Sequence, residues 1–270
     1  MTLATRNAPV FATGSNPVKT RLIRIGSQKP MQPNLLWTPC SGAVVMSEKA
    51  LVVLSGGQDS TTCLYWAIDR FGAQNVSSVT FDYGQRHRIE LSAASEIAKF
   101  VKVPNVMLPI DTFAALGGDA LTDSQIAVAS GVDEESGLPN TFVPGRNLIF
   151  LTFAAAYAYQ HGIAHLVTGV AQTDYSGYPD CREETMRSLQ TALQNGMDSE
   201  IQIHAPLMHL SKKETVQMAE ALGALPAMAM THTCYNGVRP PCGTCPACEL
   251  RAKGFAEAGI DDPLTSRLPG

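Results

Sequence analysis

The sequence predicts an α/β protein: a doubly wound parallel sheet with a small four-cysteine zinc knuckle near its C-terminus. Three observations predict it. Short apolar runs rich in β-branched residues alternate with longer helical patterns, the arrangement of βαβ units. One such run, Ala50-Leu51-Val52-Val53-Leu54, breaks at Ser55-Gly56-Gly57 and resumes as a helix through Leu64, Trp66, Ala67 and Ile68. Four of the seven cysteines crowd between Cys234 and Cys248.

The elements follow in order. Ala50 to Leu54 reads as a strand buried on both faces. Ser77 to Tyr83 is a second strand, Ile89 to Val101 a helix with Leu91, Ala94, Ile97, Ala98 and Val101 on one face, and Asn105 to Ile110 a third strand. Residues 112–140 lack a period and read as an excursion over the active site. Asn147 to Tyr159 is an apolar helix, Ala164 to Val170 a strand, Asp180 to Gln194 a helix and Ile201 to Ile203 a strand. Ser211 and Glu214 form a capping box that starts a helix running to Leu222. Ligands of such sheets sit beyond the C-terminal strand ends, where all the loops below emerge.

Composition bounds the function. The chain has 270 residues, 45% hydrophobic and 16% charged, which is ordinary for a globular protein. Its net charge of −4 gives no reason to expect a nucleic-acid partner. Residues 1–45 carry Arg6, Lys19, Arg21, Arg24 and Lys29 with no acid, so they hold +5 and leave −9 for the rest. They are rich in Pro, Asn, Ser and Thr and read as a disordered extension, with Met46 as the natural start. A transit peptide is the other reading, though the prolines spoil an amphipathic helix. Residues 46–225 then form the nucleotide-binding α/β domain and 226–270 a zinc-binding segment packed on it. No run of eighteen apolar residues spans a membrane and no secretory signal is visible, so a cytoplasmic location is expected.

The glycine turn carries the first chemistry. The free N–H groups of a helix's first turn, together with its dipole, make an anion site. Ser55, Ser60 and Thr61 add hydroxyls, and Asp59 is placed to hold a Mg²⁺ bridging phosphate oxygens. Neither Gly-Lys-Ser/Thr nor GxGxxG is present. Ser-Gly-Gly-x-Asp-Ser instead resembles the pyrophosphate loop of the ATP pyrophosphatases.

Three further loops carry candidate chemistry, two of them after strands and one before the apolar helix. Asp82-Tyr83-Gly84-Gln85-Arg86-His87 offers Arg86 and His87 to a phosphate or a substrate carboxylate. In Val143-Pro144-Gly145-Arg146-Asn147, Arg146 stands at a helix start, where a cation is unfavourable unless an anion binds beside it. Asp174-Tyr175-Ser176-Gly177-Tyr178-Pro179-Asp180-Cys181-Arg182 combines stacking rings with carboxylates, which suits a planar, donor-rich heterocycle. Asp180 also reads as a cap for the next helix, and Cys181 as a packing residue.

Cys234-x7-Cys242-x2-Cys245-x2-Cys248 has spacings that close a tetrahedral Zn²⁺ shell, and four protein ligands make the ion structural. A redox pair and an iron–sulfur cluster are the alternatives, and His232 is a substitute ligand.

Taken together, these motifs resemble the QueC family of 7-cyano-7-deazaguanine (preQ0) synthases, from about Ala50 to Arg251. The resemblance implies an adenine nucleotide alpha-hydrolase-like fold and an ATP-dependent carbon–nitrogen ligase of queuosine biosynthesis. It implies 7-carboxy-7-deazaguanine and ammonium as substrates, with Mg²⁺, one Zn²⁺ and often a homodimer. Carried onto this chain, ATP binds Leu54, Ser55, Gly56, Gly57, Gln58, Asp59, Ser60, Thr61, Thr62, Cys63 and Leu64. Ser55, Asp59, Ser60 and Arg146 are the catalytic candidates. Tyr83, Arg86, His87, Tyr175, Tyr178, Asp180 and Arg182 are the substrate candidates. Two rivals remain: a tRNA-modifying pyrophosphate-loop ATPase of thiolase or lysidine type, which predicts a basic face, and a non-catalytic zinc-ribbon module.

Overall fold

In the computed structural model, β1 (Ser47–Val53) lies at the centre of a five-stranded parallel sheet. Residues 47–85, 88–122, 125–126, 128–129, 131–132, 136–172 and 177–266 are described. The expectations for residues 1–45 lie outside them. Ala50, Leu51 and Val52 have no exposed surface, as a central strand covered on both faces requires. Alternation sorts their side chains: Leu51 joins one core, while Ala50, Val52 and Leu54 join the core on the opposite face.

The chain leaves β1 through α1 (Gln58–Phe71) to β2 (Val76–Asp82), then through α2 (Ile89–Phe100) to β3 (Asn105–Pro109). Next come α3 (Thr112–Leu116), α4 (Arg146–Gln160) and β4 (Ile163–Val167), followed by α5 (Glu183–Met197) and β5 (Gln202–His204). Three helices close the order: α6 (Lys212–Ala221), α7 (Leu225–Met228) and α8 (Pro246–Ala258). The strand order is β3-β2-β1-β4-β5, so the winding reverses between β1 and β4. A crevice beyond the C-terminal ends of those two strands is where such a fold takes its ligand.

One core is built from α4 and α5, with Leu151, Ala154, Ala158, Met186 and Leu193 against Leu51, Val79 and Leu166. The other sets Cys63, Leu64, Ala67 and Phe71 of α1 and Ala94, Ile97 and Ala98 of α2 against Val52 and Val167. Leu64 is wholly buried there, a position where truncation to Ala costs about 2–5 kcal/mol.

Most strands and helices stand within a few residues of their expected limits. Ser211 caps α6 as expected: its Oγ accepts from Glu214 N at 3.3 Å, and Glu214 Oε2 accepts from Ser211 N at 2.8 Å. Two expectations need correction. The excursion at 112–140 contains α3, whose buried Phe113 packs edge-on to Tyr83 and Phe150. The helix expected from Asp180 begins at Glu183, because Pro179–Cys181 form a single tight 3-10 turn.

Candidate active site

The glycine loop is built as a cradle. Leu54 N donates to Val79 O at 2.8 Å, and Thr80 Oγ1 donates to Leu54 O at 2.8 Å, so β2 fixes the exit of β1. Gly56 turns the chain with φ of +84°, and a Cβ there would stand 2.4 Å from Glu90 O and 2.8 Å from Ala94 N. Glycine is required both by the backbone conformation and by the approach of α2. On the opposite side, a Cβ on Gly169 would meet Ser60 N at 3.0 Å, so the exit of β4 passes directly over the start of α1.

No side chain caps α1 at Gly57, and its first main-chain bond runs from Thr61 N to Gly57 O at 3.1 Å. The N–H groups of Gln58, Asp59 and Ser60 therefore have no acceptor within the helix. Ser55 and Ser60 hydroxyls lie 3.0 Å apart beside them. That arrangement presents donors to an anion at the positive end of a fourteen-residue helix.

These residues open into a cavity of about 320 Å³ between β1 and β4. Leu54, Ser55, Gly57, Gln58, Asp59 and Ser60 line it, while Thr61, Thr62, Cys63 and Leu64 are wholly buried and do not. The two threonine hydroxyls turn back into the helix, to Gly57 O at 2.8 Å and Gln58 O at 3.0 Å, and are thus not offered to a ligand. Of the residues predicted for the ATP loop, the structure thus brings part of the first half to the cavity and buries the second half. Asp59 Oδ2 accepts from Lys212 Nζ at 2.7 Å, whereas Oδ1 is buried with no partner. An unpartnered buried carboxylate oxygen in the first turn of α1 fits a cation.

The far wall carries Tyr83, Arg146 and Tyr178. Gln85 closes the turn after β2 by accepting from Tyr83 N at 2.8 Å and donating to Phe81 O at 3.2 Å. Burial pushes the Tyr83 hydroxyl up to about 12, so it stays neutral. Arg146 Nη1 donates to Tyr83 Oη at 3.4 Å, and its guanidinium lies 5.8 Å from the Tyr83 ring centre. Burial works against the Arg146 charge, but Tyr83, Tyr178, Tyr235 and Asp180 outweigh it and its pKa is raised. Among the described residues no carboxylate forms an ion pair with it. Tyr178 is buried, with its hydroxyl 2.6 Å from Thr141 Oγ1.

Asp180 does cap a helix, but a different one from that expected: its Oδ2 accepts from Asn147 N at 2.9 Å, at the start of α4. This buried carboxylate also favours the Arg146 charge from a distance, without pairing with it. Asn147 Nδ2 reaches Cys181 Sγ at 3.3 Å, tying the two loops together. Arg182 is exposed and does not line the cavity. Arg86, His87 and Tyr175 lie outside the described residues.

The four cysteines converge as their spacing predicted. The Sγ atoms of Cys234, Cys242, Cys245 and Cys248 all lie within 4.8 Å of one another. A tetrahedral zinc shell with Zn–S of about 2.3 Å has edges near that range. Main-chain N–H groups aim at the sulfurs: Cys242 N at Cys234 Sγ (3.4 Å) and Cys245 N at Cys242 Sγ (3.3 Å). Hydrogen bonding from Thr244 N above all pulls Cys242 down to about 5, which favours the thiolate that a metal requires. His232 is not part of the cluster. Its Nε2 lies 3.1 Å from Cys234 O, and its main-chain N–H donates to Gly56 O at 2.9 Å, so it links the knuckle to the glycine loop. Cys234 itself lines the cavity.

With this geometry established, comparison with known proteins identifies the family. The family model described as queuosine biosynthesis protein QueC matches residues 49–259. The chain belongs to the QueC family. A 7-cyano-7-deazaguanine synthase of Chromobacterium violaceum is 68% identical over 82% of this chain and 94% of its own. That of Laribacter hongkongensis is 65% identical over 83% and 96%. The Azorhizobium caulinodans synthase is 48% identical over 77% and 92%.

Two QueC residues in the cavity escaped the sequence reading. Lys212 follows Ser211 at the first turn of α6, where a cation opposes the helix dipole, the signal that had singled out Arg146. Glu90, in the first turn of α2, looked like an ordinary dipole-satisfying acid. Among the described residues no helix is long and apolar enough to cross a membrane.

Proposed function

We propose that the chain is an ATP-dependent ligase that converts 7-carboxy-7-deazaguanine and ammonia to 7-cyano-7-deazaguanine. The observation that carries this reading is one cavity shared by two unlike walls. One is a phosphate cradle at the uncapped N-terminus of α1; the other is the aromatic and cationic wall of Tyr83, Tyr178 and Arg146. The names of the similar synthases supply the product, 7-cyano-7-deazaguanine, and the resemblance of the motifs supplies the acid as its precursor.

In this reading Ser55, Gly57, Gln58, Asp59 and Ser60 hold the phosphates of ATP, and Gly56 shapes the loop. Asp59 Oδ1 would hold Mg²⁺, which when bound neutralises phosphate charge. Tyr83 and Tyr178 provide flat surfaces for the deazapurine. Arg146 pairs with the substrate carboxylate or the departing phosphate. Arg86, His87 and Tyr175 remain substrate candidates on the sequence reading alone, and Asp180 positions Arg146 by capping α4. The cysteines would hold one structural Zn²⁺ that keeps Cys234 and His232 against the glycine loop. Residues 226–266 then belong to the same domain as the sheet.

The chemistry needs an oxygen made into a leaving group twice. Transfer of a phosphate or adenylate to the carboxylate oxygen lets ammonia add at the carbon, and the activated oxygen departs with the bonding electrons to leave the amide. Activation of the amide oxygen and loss of the remaining N–H protons then leave the nitrile. The protein's own contribution is positioning, exclusion of water, and N–H donors fixed where phosphate charge develops.

The test is product mass. Residues 1–270 with Mg-ATP, ammonium and the acid should yield the nitrile. ATP that is untouched by this acid but consumed with another carboxylate or with tRNA overturns the substrate assignment.

A further inference from the structure

We infer that Glu90 is the proton acceptor of the amide- and nitrile-forming steps, a carboxylate held on the cavity wall beside Tyr83 and Arg146. This rests on the ligase reading above.

Among the described residues two carboxylates line the cavity, Asp59 and Glu90. Asp59 is engaged by Lys212 at 2.7 Å. Glu90 has no hydrogen-bond or ion-pair partner among the described residues, and its surroundings favour a proton on it. Burial pushes its pKa up to about 7, with the charge of Arg146 pulling the other way. A carboxylate of that basicity is partly ionised at neutral pH and can both accept and release a proton, the requirement for general base catalysis near pH 7. The other groups facing the cavity are poorer acceptors. Lys212, Arg146 and Arg251 are cations, Tyr83 is held neutral by its pKa of about 12, and burial raises Tyr178 as well. Tyr235 is a third phenol, Cys181 accepts from Asn147 Nδ2, Cys234 belongs to the thiol cluster, and the His232 ring lies 3.1 Å from Cys234 O.

The position is rigid. Glu90 O and Ala94 N lie 2.4 and 2.8 Å from where a Cβ on Gly56 would stand, so the first turn of α2 is packed backbone to backbone on the phosphate cradle. A base fixed to that cradle keeps one geometry toward any carbon whose oxygen is activated there.

Ammonia forms its C–N bond to the activated carboxyl carbon, and the nitrogen of the adduct becomes cationic. One proton passes from that nitrogen to a Glu90 carboxylate oxygen, while the C–O bond to the phosphate-bearing oxygen breaks and its electron pair leaves on that oxygen. Glu90 returns the proton to water. After the second activation, the nitrogen loses its remaining protons, one at a time, by the same route. The last C–O bond to the activated oxygen breaks, and the nitrile is formed.

The test compares wild type with E90Q and E90D. Wild-type kcat for nitrile formation should fall with decreasing pH through an apparent pKa near 7. E90Q should lose that limb and about 10²–10⁴-fold in kcat, the usual size of a general-base contribution. Acid-dependent ATP turnover in a single-turnover experiment without ammonium should survive in E90Q within about threefold, because activation of the carboxylate releases no N–H proton. E90D, which keeps the charge, should retain an intermediate rate and the pH limb; it carries the test if E90Q does not fold. E90Q with wild-type kcat and an unchanged pH limb overturns the proposal. Equal loss of activation and nitrile formation in a folded E90Q also overturns it, because Glu90 would then hold substrate rather than move protons. Absence of nitrile from wild type sinks the ligase reading itself, a failure seen before any variant is made.

Discussion

Lys212 Nζ lies 2.7 Å from Asp59 Oδ2, joining the first turn of α6 to the first turn of α1 across 153 positions of sequence. The pair places a cation on the cavity wall beside the first turn of α1 and leaves Asp59 Oδ1 without a partner. Lys212→Ala should raise the KM for ATP and lower kcat/KM on the order of 10²-fold, as loss of one preorganised charge-stabilising group does. Steady-state kinetics with varied ATP check it; an unchanged kcat/KM would mean that the ammonium serves only to hold α6.

Adjacent glycines should respond differently to the same change. Gly56→Ala puts a methyl group into the backbone of α2 and forces φ of +84° on an alanine. At Gly57 φ is −84°, and the nearest atom to an added Cβ is Ser55 Oγ at 3.5 Å, an ordinary contact. We expect Gly56→Ala to be destabilised by several kcal/mol or insoluble, and Gly57→Ala to unfold within about 1 kcal/mol of wild type. Urea unfolding distinguishes them, and equal midpoints would contradict the cradle geometry.

The C-terminal segment is anchored by Arg251, which is 5% exposed. Its Nε and Nη2 donate to Asp262 at 2.6 and 2.7 Å, and Nη1 donates to Thr231 Oγ1 at 2.7 Å. Asp262→Ala leaves a buried guanidinium without its counter-ion and should cost about 3–5 kcal/mol. Arg251→Met with Asp262→Leu should cost less than Asp262→Ala alone, since no unpaired charge remains. Denaturant midpoints of the three proteins give the order.

A histidine pair sets the acid limit of the fold. His165 Nδ1 lies 3.0 Å from His204 Nε2, and Phe71 stacks on His165 at 4.8 Å. Burial first, then the neighbouring His165 and Arg70, push His204 down to about 4, and burial lowers His165 as well. The unfolded chain takes up these protons near 6.5 and the folded one does not. Stability is therefore complete above about pH 6.5 and is lost as pH falls toward 4. His204→Gln should show a shallower loss of urea midpoint between pH 7 and pH 4.5 than wild type; parallel curves would remove the pair from the account.

The thiol cluster predicts about one zinc per purified chain and a fall in thermal midpoint on chelation. Cys245→Ser should lose the metal and destabilise the glycine loop through His232. Visible absorbance with bound iron and sulfide in place of zinc would select the cluster alternative.

What was legible in the sequence was what depends on neighbours in the chain. The turn at Gly56, the capping box of Ser211 and Glu214, and the cysteine spacing each announce themselves within about fifteen residues, as local rules allow. Asp180 was misread because its acceptor role is played toward Asn147, 33 residues earlier, on a helix packed beside it only in the fold. The inward turn of the Thr61 and Thr62 hydroxyls, and the basic character of Glu90, arise from burial, which no local pattern reports. Lys212 was within reach: the argument that flagged Arg146 at a helix start applied equally to it.

The central claim is that the cradle at α1 activates the substrate's carboxylate oxygen. With acid labelled by ¹⁸O in its carboxylate, ammonium and Mg-ATP, the nitrile should form with ¹⁸O bound to phosphorus in the nucleotide or phosphate released. A nitrile formed with the label appearing in water, and none on phosphorus, would contradict it.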